Sequence, residues 1–413
     1  MHSSTSSSET YENQYQTMAS HNRWQIAAKT MLAGALIYLC VLLTYHALLF
    51  AVGAQQLNER MLDQIDFAPK TVDVPEGHKS VLFYGSSMVQ AGFEPYEFDL
   101  ALANEGIEVT SFNYGIGNLN PQFQSLMTRR IKDAILPSGQ KLDLVLLEFN
   151  PFQTTKVRKQ IGVVTQDQNE ALLSSVPELV QLTLQDPTKG VRLFNIRYLR
   201  YGISAELLSS AAQFVSLPSQ DPEYLKADKN RDDARAAYYA HDSAVAPVYG
   251  RFNEPLRGGR IDKRKLSDQA ANDLEVLVQS NQHPLFMQRD LQRRIDTSDI
   301  LQLEFDETLI QDFLTMIENL KSVSHHLEVV LLPRNTDWVT YSPQAQERFD
   351  GVIERIKKQG NVTVLDTQEI PVISPKDFVD TTHLSYGRGI TAYSRYLARH
   401  YAALLTDTQQ LAD

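Results

Sequence analysis

The chain has 413 residues, of which 43% are hydrophobic and 22% are charged, and this composition is typical of a globular protein with one large or two medium domains. The formal net charge of −11 excludes nucleic acid as a partner bound through a basic surface. The single cysteine, Cys40, excludes an intramolecular disulfide.

The N-terminal segment predicts where the protein resides. Residues 1–30 predict a cytoplasmic tail, which is polar and disordered over residues 1–20. Residues 31–53 contain no Asp, Glu, Lys or Arg and are numerous enough to cross the roughly 30 Å hydrocarbon layer, so we expect a transmembrane anchor. Because Arg23 and Lys29 precede the anchor, the positive-inside rule predicts a single-pass inner-membrane protein whose remaining chain faces the periplasm or the outside.

Two other interpretations of residues 31–53 stay open. Val52-Gly53-Ala54 resembles a signal-peptidase site, so the segment is alternatively a signal peptide cleaved after Ala54. It is alternatively a buried helix of a soluble protein. The anchor is favoured because the apolar run exceeds the roughly 7–15 residues of a signal-peptide core.

The chain after the anchor predicts a linker and then an alternation of strands and helices. Residues 54–78 are polar and are expected to form the linker. Residues 79–151 predict the first part of an α/β domain, because each apolar run ends at glycine or polar residues. The predicted elements are a strand ending at Gly85-Ser86-Ser87, a helix at Glu94–Ala103, a strand at Ile107–Phe112, a helix at Gln122–Leu136 and a strand at Leu142–Leu147.

Residues 152–300 interrupt this alternation. Helical patches occur at 171–184, 192–210 and 265–279, and no alternating strand pattern is visible, so we expect a large helical insertion. The simpler interpretation is that the insertion contributes packing and surface. The alternative is a lid that shapes the substrate site, or a surface that docks a partner.

Residues 301–406 resume the alternation and predict the second part of the domain. Strands that alternate with helices imply right-handed crossovers, and therefore an α/β fold with a parallel, doubly wound sheet of five strands. The predicted elements are a helix at Leu303–Leu320, a strand at Leu327–Pro333, a helix at Gln344–Lys358, a strand at Val362–Asp366 and a helix at Gly389–Leu405.

Side chains that suit acyl transfer follow the predicted strands. Ser87 follows the first strand, and Asp380 and His383 share the loop before the last helix. A serine hydroxyl needs an imidazole to remove its proton, and the imidazole needs a carboxylate to fix its tautomer. Because the carboxyl ends of parallel strands meet at one edge of the sheet, we expect these three side chains to converge there.

Donors for a developing oxyanion follow the second and third strands. Gly115 and Gly117 lie after the second strand and offer backbone N–H groups, and Asn150 follows the third strand and offers a side-chain amide. Each of these residues taken alone has another interpretation. Ser87 equally suits a phosphate-binding turn or a helix cap, His383 can be an ordinary loop residue, and Asn150 can be a turn residue.

These motifs, taken in their order along the chain, resemble the four blocks of the SGNH hydrolase superfamily, also called GDSL-like esterases. The resemblance covers about 79–151 and 301–405, and it implies a flavodoxin-like three-layer sandwich that needs no metal and no organic cofactor. The blocks in this sequence are Gly85-Ser86-Ser87, Asn113 with its glycine loop, Asn150, and Asp380-Thr381-Thr382-His383.

The resemblance also implies roles for the site residues. Ser87 is the expected nucleophile, His383 the base, Asp380 the residue that orients the base, and Asn150 an oxyanion donor. The family's Gly-Asp-Ser is Gly-Ser-Ser here, as in the membrane-anchored D-alanine transfer proteins of teichoic acid modification. The glycine that the second block is expected to carry is Asn118, so either Gly117 or Asn118 completes the oxyanion hole.

By this resemblance the expected function is O-acetyl or O-acyl transfer, or ester hydrolysis, on a cell-envelope polysaccharide. The expected partners are the lipid bilayer, a membrane-bound O-acyltransferase and the acylated glycan. The alternatives are an inactive SGNH-like scaffold that binds polysaccharide or the acyltransferase, and a secreted esterase released by cleavage after Ala54. His241, His325 and His326 are expected at the surface, and Glu148 is either a structural charge or a second acid of the site.

Overall fold

The structure, a computed structural model, describes residues 25–44, 64–117, 119–161, 167, 170–199, 221–241 and 267–407. The chain divides into two compact units, Met1–Glu59 and Arg60–Asp413. The predicted disordered tail, the cleavage site after Ala54, and Asn118 lie outside the described residues.

The first unit contains one apolar helix, α1, at Gln25–Thr44. Its 20 residues have a mean hydropathy of 2.1 and are long and apolar enough to cross a membrane. The helix begins before the predicted anchor at 31–53, and residues 45–53 of that anchor lie outside the described part. Signal sequences share this length and composition, so α1 fits either interpretation.

The second unit is built on a parallel sheet of five strands, which confirms the predicted α/β class. The strands follow one another across the sheet in the order β2-β1-β3-β4-β5, and every neighbouring pair is parallel. Their bounds are Lys79–Gly85 for β1, Val109–Gly115 for β2, Leu142–Glu148 for β3, Ser324–Leu331 for β4 and Thr363–Asp366 for β5.

The described residues of the second unit form twelve further α-helices, and most of these begin at a proline in the first turn with a polar cap before it. Their bounds are Ser87–Gly92 (α2), Pro95–Ala103 (α3), Pro121–Ile135 (α4), Lys156–Ile161 (α5), Val176–Gln185 (α6), Pro187–Phe194 (α7), Pro222–Tyr239 (α8), Asp268–Asn281 (α9), Pro284–Ser298 (α10), Glu307–Lys321 (α11), Pro343–Gly360 (α12) and Arg388–Asp407 (α13).

The described part of 152–300 is helical, and it supplies α5 to α10. The predicted helical patches coincide with α6, α7 and α9 where the structure describes them, while 200–210 and 265–266 lie outside the described residues. A short α-helix, α2, was not predicted, because six residues give too short an apolar pattern to recognise.

The second strand extends further than its apolar run predicts. β2 includes Asn113 and Gly115, which were expected in a loop. Asn113 is tolerated in the buried strand because its side-chain amide donates to the carbonyls of Val89 (3.0 Å) and Phe93 (2.6 Å). The polar side chain therefore ties the end of β2 to α2.

The core extends on both faces of the sheet. The first three strands are almost entirely buried, as expected when helices cover both faces of a parallel sheet. Pairing places Gly85 opposite Gly115, and Tyr84 opposite Leu147, so β1, β2 and β3 end side by side. The residues that follow these three strands therefore meet at one edge of the sheet.

Candidate active site

Ser87 is presented at this edge by a sharp turn from β1 into α2. Ser86 caps the helix, and its Oγ accepts a hydrogen bond from the backbone N–H of Met88 at 3.1 Å. Ser86 is 1% exposed, whereas Ser87, the first residue of the helix, is only partly buried. The cap therefore turns the next hydroxyl outward, where a ligand can reach it.

The loop before α13 brings an imidazole to this hydroxyl. His383 Nε2 lies 2.8 Å from Ser87 Oγ, and His383 Nδ1 lies 2.7 Å from Asp380 Oδ2. The loop is closed by a backbone hydrogen bond from Val379 N–H to His383 O at 2.9 Å. The structure thus brings together the three side chains for which the sequence predicts nucleophile, base and orienter.

Asp380 is held as a carboxylate. Its Oδ1 accepts the backbone N–H groups of Thr382 and His383, both at 2.8 Å. Burial works to raise the pKa of Asp380, but the His383 ring and the Arg294 guanidinium outweigh burial and hold the pKa well below its usual range. An ionised carboxylate only accepts, so Nδ1 of His383 carries the hydrogen and the lone pair of Nε2 faces Ser87.

Arg294 is a site residue that the sequence did not reveal. It lies on α10 in the insertion, and its Nη2 is 3.2 Å from Asp380 Oδ2 and 3.3 Å from His383 Nδ1. Its Nε donates to Asp290 Oδ2, four residues earlier on the helix, at 2.7 Å. The only signal was an Asp–Arg pair at helical spacing, which is common on exposed helix faces.

The two glycines proposed for the oxyanion hole occupy different positions. The Gly115 N–H already donates to Asn113 Oδ1 at 2.9 Å. A Cβ at Gly115 would lie 2.6 Å from Gln90 Cα and 2.8 Å from Ser86 O, so this glycine lets β2 approach α2 closely. A Cβ at Gly117 would lie 3.4 Å from Ser87 Cβ. Gly117 is therefore the glycine that borders Ser87.

Asn150 approaches the residues on either side of Ser87. Its Nδ2 lies 2.9 Å from Ser86 Oγ and 3.4 Å from Met88 Sδ, and its Oδ1 accepts the Phe152 N–H at 2.9 Å. Its amide hydrogens thus face the Ser86 hydroxyl and the Met88 sulfur, and the amide also acts on the Glu148 carboxyl, whose pKa it works to lower. The amide that the sequence assigns to the oxyanion hole is held beside the turn.

Glu148, at the end of β3, bonds to Ser86 in the turn rather than to Ser87. The Ser86 N–H donates to one carboxyl oxygen, and Ser86 Oγ donates to the other at 2.9 Å. Burial raises the pKa of Glu148 to about 7, although the donors on Ser86 and Asn150 work in the opposite direction. Of the two interpretations left open by the sequence, its contacts favour a structural one.

His325, His326 and His241 lie outside this site. His325 is exposed and His326 is half-buried at the start of β4, which begins three residues earlier than predicted. His241 Nε2 lies 2.7 Å from Asp273 Oδ2. Among the residues that the structure describes, no three His, Cys, Asp or Glu side chains converge as metal ligands would.

Comparison with known proteins gives no family assignment. No protein-family model matches the chain, and no curated protein matches it at a significant level. The argument for a function therefore rests on the geometry around Ser87.

Proposed function

We propose that this protein carries out serine-dependent acyl-ester chemistry, as transfer or hydrolysis of an acyl group. The observation that carries the proposal is the continuous hydrogen-bonded chain from Ser87 Oγ to His383 Nε2 (2.8 Å) and from His383 Nδ1 to Asp380 Oδ2 (2.7 Å). A nucleophile, a base and an orienting carboxylate in these positions are the parts that acyl transfer requires.

The reaction runs through an acyl-serine. Ser87 Oγ attacks the carbonyl carbon of an ester, while His383 Nε2 takes the hydroxyl proton. The alcohol then leaves with that proton, and the acyl group stays on Ser87 Oγ. A sugar hydroxyl or a water molecule next gives its proton to His383 and attacks the acyl carbon, which releases the new ester or the acid and restores Ser87.

The negative charge that develops on the carbonyl oxygen needs donors. The N–H of Ser87 is the first of α2 and has no partner inside the helix. The neighbouring backbone of Gly117 and the side-chain amide of Asn150, which lies beside the turn, complete our proposed oxyanion hole. The Gly115 N–H is left out, because it is already used by Asn113.

The strand order supports the resemblance to SGNH hydrolases. The order β2-β1-β3-β4-β5 is that of flavodoxin-like sheets, in which ligands bind at the carboxyl edge where the strand order reverses. Ser87 follows β1, next to this reversal. We therefore propose a flavodoxin-like sandwich of the SGNH type, whose site uses side chains and backbone alone.

The substrate we propose is an acylated cell-envelope polysaccharide. An apolar helix such as α1 anchors a chain to a membrane, and the basic residues before it favour a cytoplasmic N-terminus with Ser87 on the periplasmic or outer side. On that side a membrane-bound O-acyltransferase is a suitable acyl donor, and glycan hydroxyls are abundant acceptors.

The test is covalent labelling of the purified chain with a fluorophosphonate, together with turnover of p-nitrophenyl acetate. We expect the unchanged protein to be labelled at Ser87 and S87A and H383A to lose labelling, while D380N slows it by a factor on the order of 10⁴ because the tautomer is no longer fixed. Ser280→Ala, which removes a hydroxyl at the end of α9, is the control and should label normally. Equal labelling of S87A and the unchanged chain would overturn the proposal.

A scaffold that binds glycan without turnover is the second candidate. The observation that favours it is that the Gly115 N–H and one Asn150 amide hydrogen are already used inside the protein, so fewer donors remain for an oxyanion. A folded chain that binds acylated polysaccharide but is never labelled by the fluorophosphonate would establish this function instead.

A further inference from the structure

Helix α10 of the insertion places a second charged pair, Asp290 and Arg294, next to Asp380 and His383. Arg294 Nη2 lies 3.2 Å from Asp380 Oδ2, the same oxygen that accepts the hydrogen of His383 Nδ1. The Arg294 side chain is 16% exposed, so water screens its charge only in part. One carboxylate oxygen is thus shared between an arginine and the proposed base.

Arg294 is itself held from the other side. Asp290 Oδ2 accepts the Arg294 Nε–H at 2.7 Å and the backbone N–H of Thr381 at 3.3 Å. The Thr381 hydroxyl also donates to this carboxylate. Asp290 therefore ties α10 to the loop between Asp380 and His383, and fixes the guanidinium in one place.

The charges that face Arg294 come from three elements. Asp290 lies on its own helix, Asp380 and His383 lie on the loop before α13, and Arg158 on α5 acts on it as a second positive charge. Asp290 is also paired with Arg293 on the same helix. Protonation of His383 adds a positive charge 3.3 Å from Arg294, which is unfavourable.

We propose that Arg294, held by Asp290, is a positioning residue that the insertion supplies to the site: it fixes Asp380 behind His383 and opposes protonation of the ring. In this position the ring can take the proton of Ser87 through Nε2. This inference rests on the proposed acyl-ester function, and it assigns the insertion a part in the chemistry.

The test compares Arg294→Gln, Arg294→Lys and Asp290→Asn in the full chain. We expect R294Q to slow fluorophosphonate labelling by roughly 10-fold or more, and to move the acid limb of the kcat/KM profile for p-nitrophenyl acetate to higher pH by about one unit. R294K keeps the charge and should restore the acid limb, although not the full rate, because lysine lacks the fork that reaches two carboxylates. D290N removes the carboxylate that holds the guanidinium, so it should also slow labelling, but by less than R294Q.

The matched control is Arg235→Gln, which breaks an exposed Asp232–Arg235 ion pair on α8, in the same insertion. It should leave the rate and the pH profile unchanged. The inference would be overturned if R294Q left the pH profile of kcat/KM unchanged. It would also be overturned if R294Q lost rate only in proportion to a lower Tm and R294K did not restore the rate.

A second measurement separates this inference from the proposed function. The ring protons of His383 can be titrated by NMR in S87A, where no turnover occurs. Addition of R294Q to S87A should move the midpoint of this titration to higher pH, and an equal midpoint would contradict the inference. If the unchanged chain is never labelled but the midpoint moves, the proposed chemistry fails while the role of Arg294 stands.

Discussion

Two carboxylates near Ser87 have opposite environments. Asp380 accepts from two backbone N–H groups, an imidazole and a guanidinium, and these hold its pKa below the usual range. Among the described residues Glu148 forms no ion pair, and burial raises its pKa to about 7. Carboxylates whose pKa values are driven apart in this way serve different purposes, here, as we propose, an orienting charge and a brace that is mostly protonated only below about pH 7.

Glu148 makes the stability of the protein depend on pH. Its pKa is about 4.5 in the unfolded chain and about 7 in the folded protein, so the folded state binds more protons between these values. The free energy of unfolding should therefore fall as pH rises from about 4.5 to 7, by roughly 3 kcal/mol. Urea unfolding of Glu148→Gln across this range should show a clearly smaller decrease, with a remainder from Asp312, whose pKa burial raises to about 6.

The control for this measurement is Glu105→Gln, which changes an exposed carboxylate after α3. It should keep the decrease of the unchanged chain. A Glu148→Gln variant whose stability still falls by the same amount between pH 4.5 and 7 would show that another group is responsible.

At the level of single residues, the sequence predicts the types of side chain but not all of their contacts. Ser87, Asp380 and His383 stand out because they occur at a strand end and in the loop before the last helix. Arg294 does not stand out, because Lys229 and Asp233 form a helix ion pair of similar spacing with no such role. Only the packing of α10 against the loop distinguishes the two pairs.

At the level of elements, the position of Ser87 depends on how closely α2 packs on β2. Gly115 allows this approach, since a Cβ there would contact the backbone of Gln90 and Ser86. Backbone atoms cannot move aside without moving the helix. The distance between Ser87 and Gly117 is therefore set by a residue that does not itself take part in the chemistry.

We predict that Gly115→Ala destabilises the protein by about 1–3 kcal/mol, which is the usual cost of overpacking. It should also slow labelling of Ser87, because α2 must shift. Gly351→Ala is the control: Gly351 lies within α12 with no atom near its Cβ position, and alanine there should stabilise the helix by about 0.5–1 kcal/mol. Thermal unfolding and fluorophosphonate labelling of both variants check the prediction, and normal labelling by G115A would contradict it.

The sequence predicts all five strands, because each is a run of apolar or β-branched residues that ends at a turn. It does not predict correctly at which residues all of these strands begin and end. Asn113 looks like a loop residue until its partners on α2 are known, and His325 and His326 look too polar for the strand in which they lie. These positions are decided by tertiary contacts, which local patterns do not encode.

On the scale of the whole molecule, α1 predicts how the protein partitions. We expect the full chain to sediment with membranes and to be released by detergent but not by alkaline carbonate. A chain that begins at Arg60, the start of the second compact unit, should be soluble. The N-terminal sequence of the mature protein is the decisive measurement, since a start at Gln55 would replace the anchor with a cleaved signal peptide.

The wide separation of Ser87 and His383 has a consequence for biosynthesis. The two residues are 296 positions apart, and domains form from the N-terminal end as the ribosome proceeds. Strands β1, β2 and β3 are complete long before the chain reaches β4 and the loop with His383. A lone serine is a weak nucleophile, so an unfinished or prematurely terminated chain carries the hydroxyl without its base. On the proposed mechanism, Ser87 thus becomes reactive only after synthesis has passed His383.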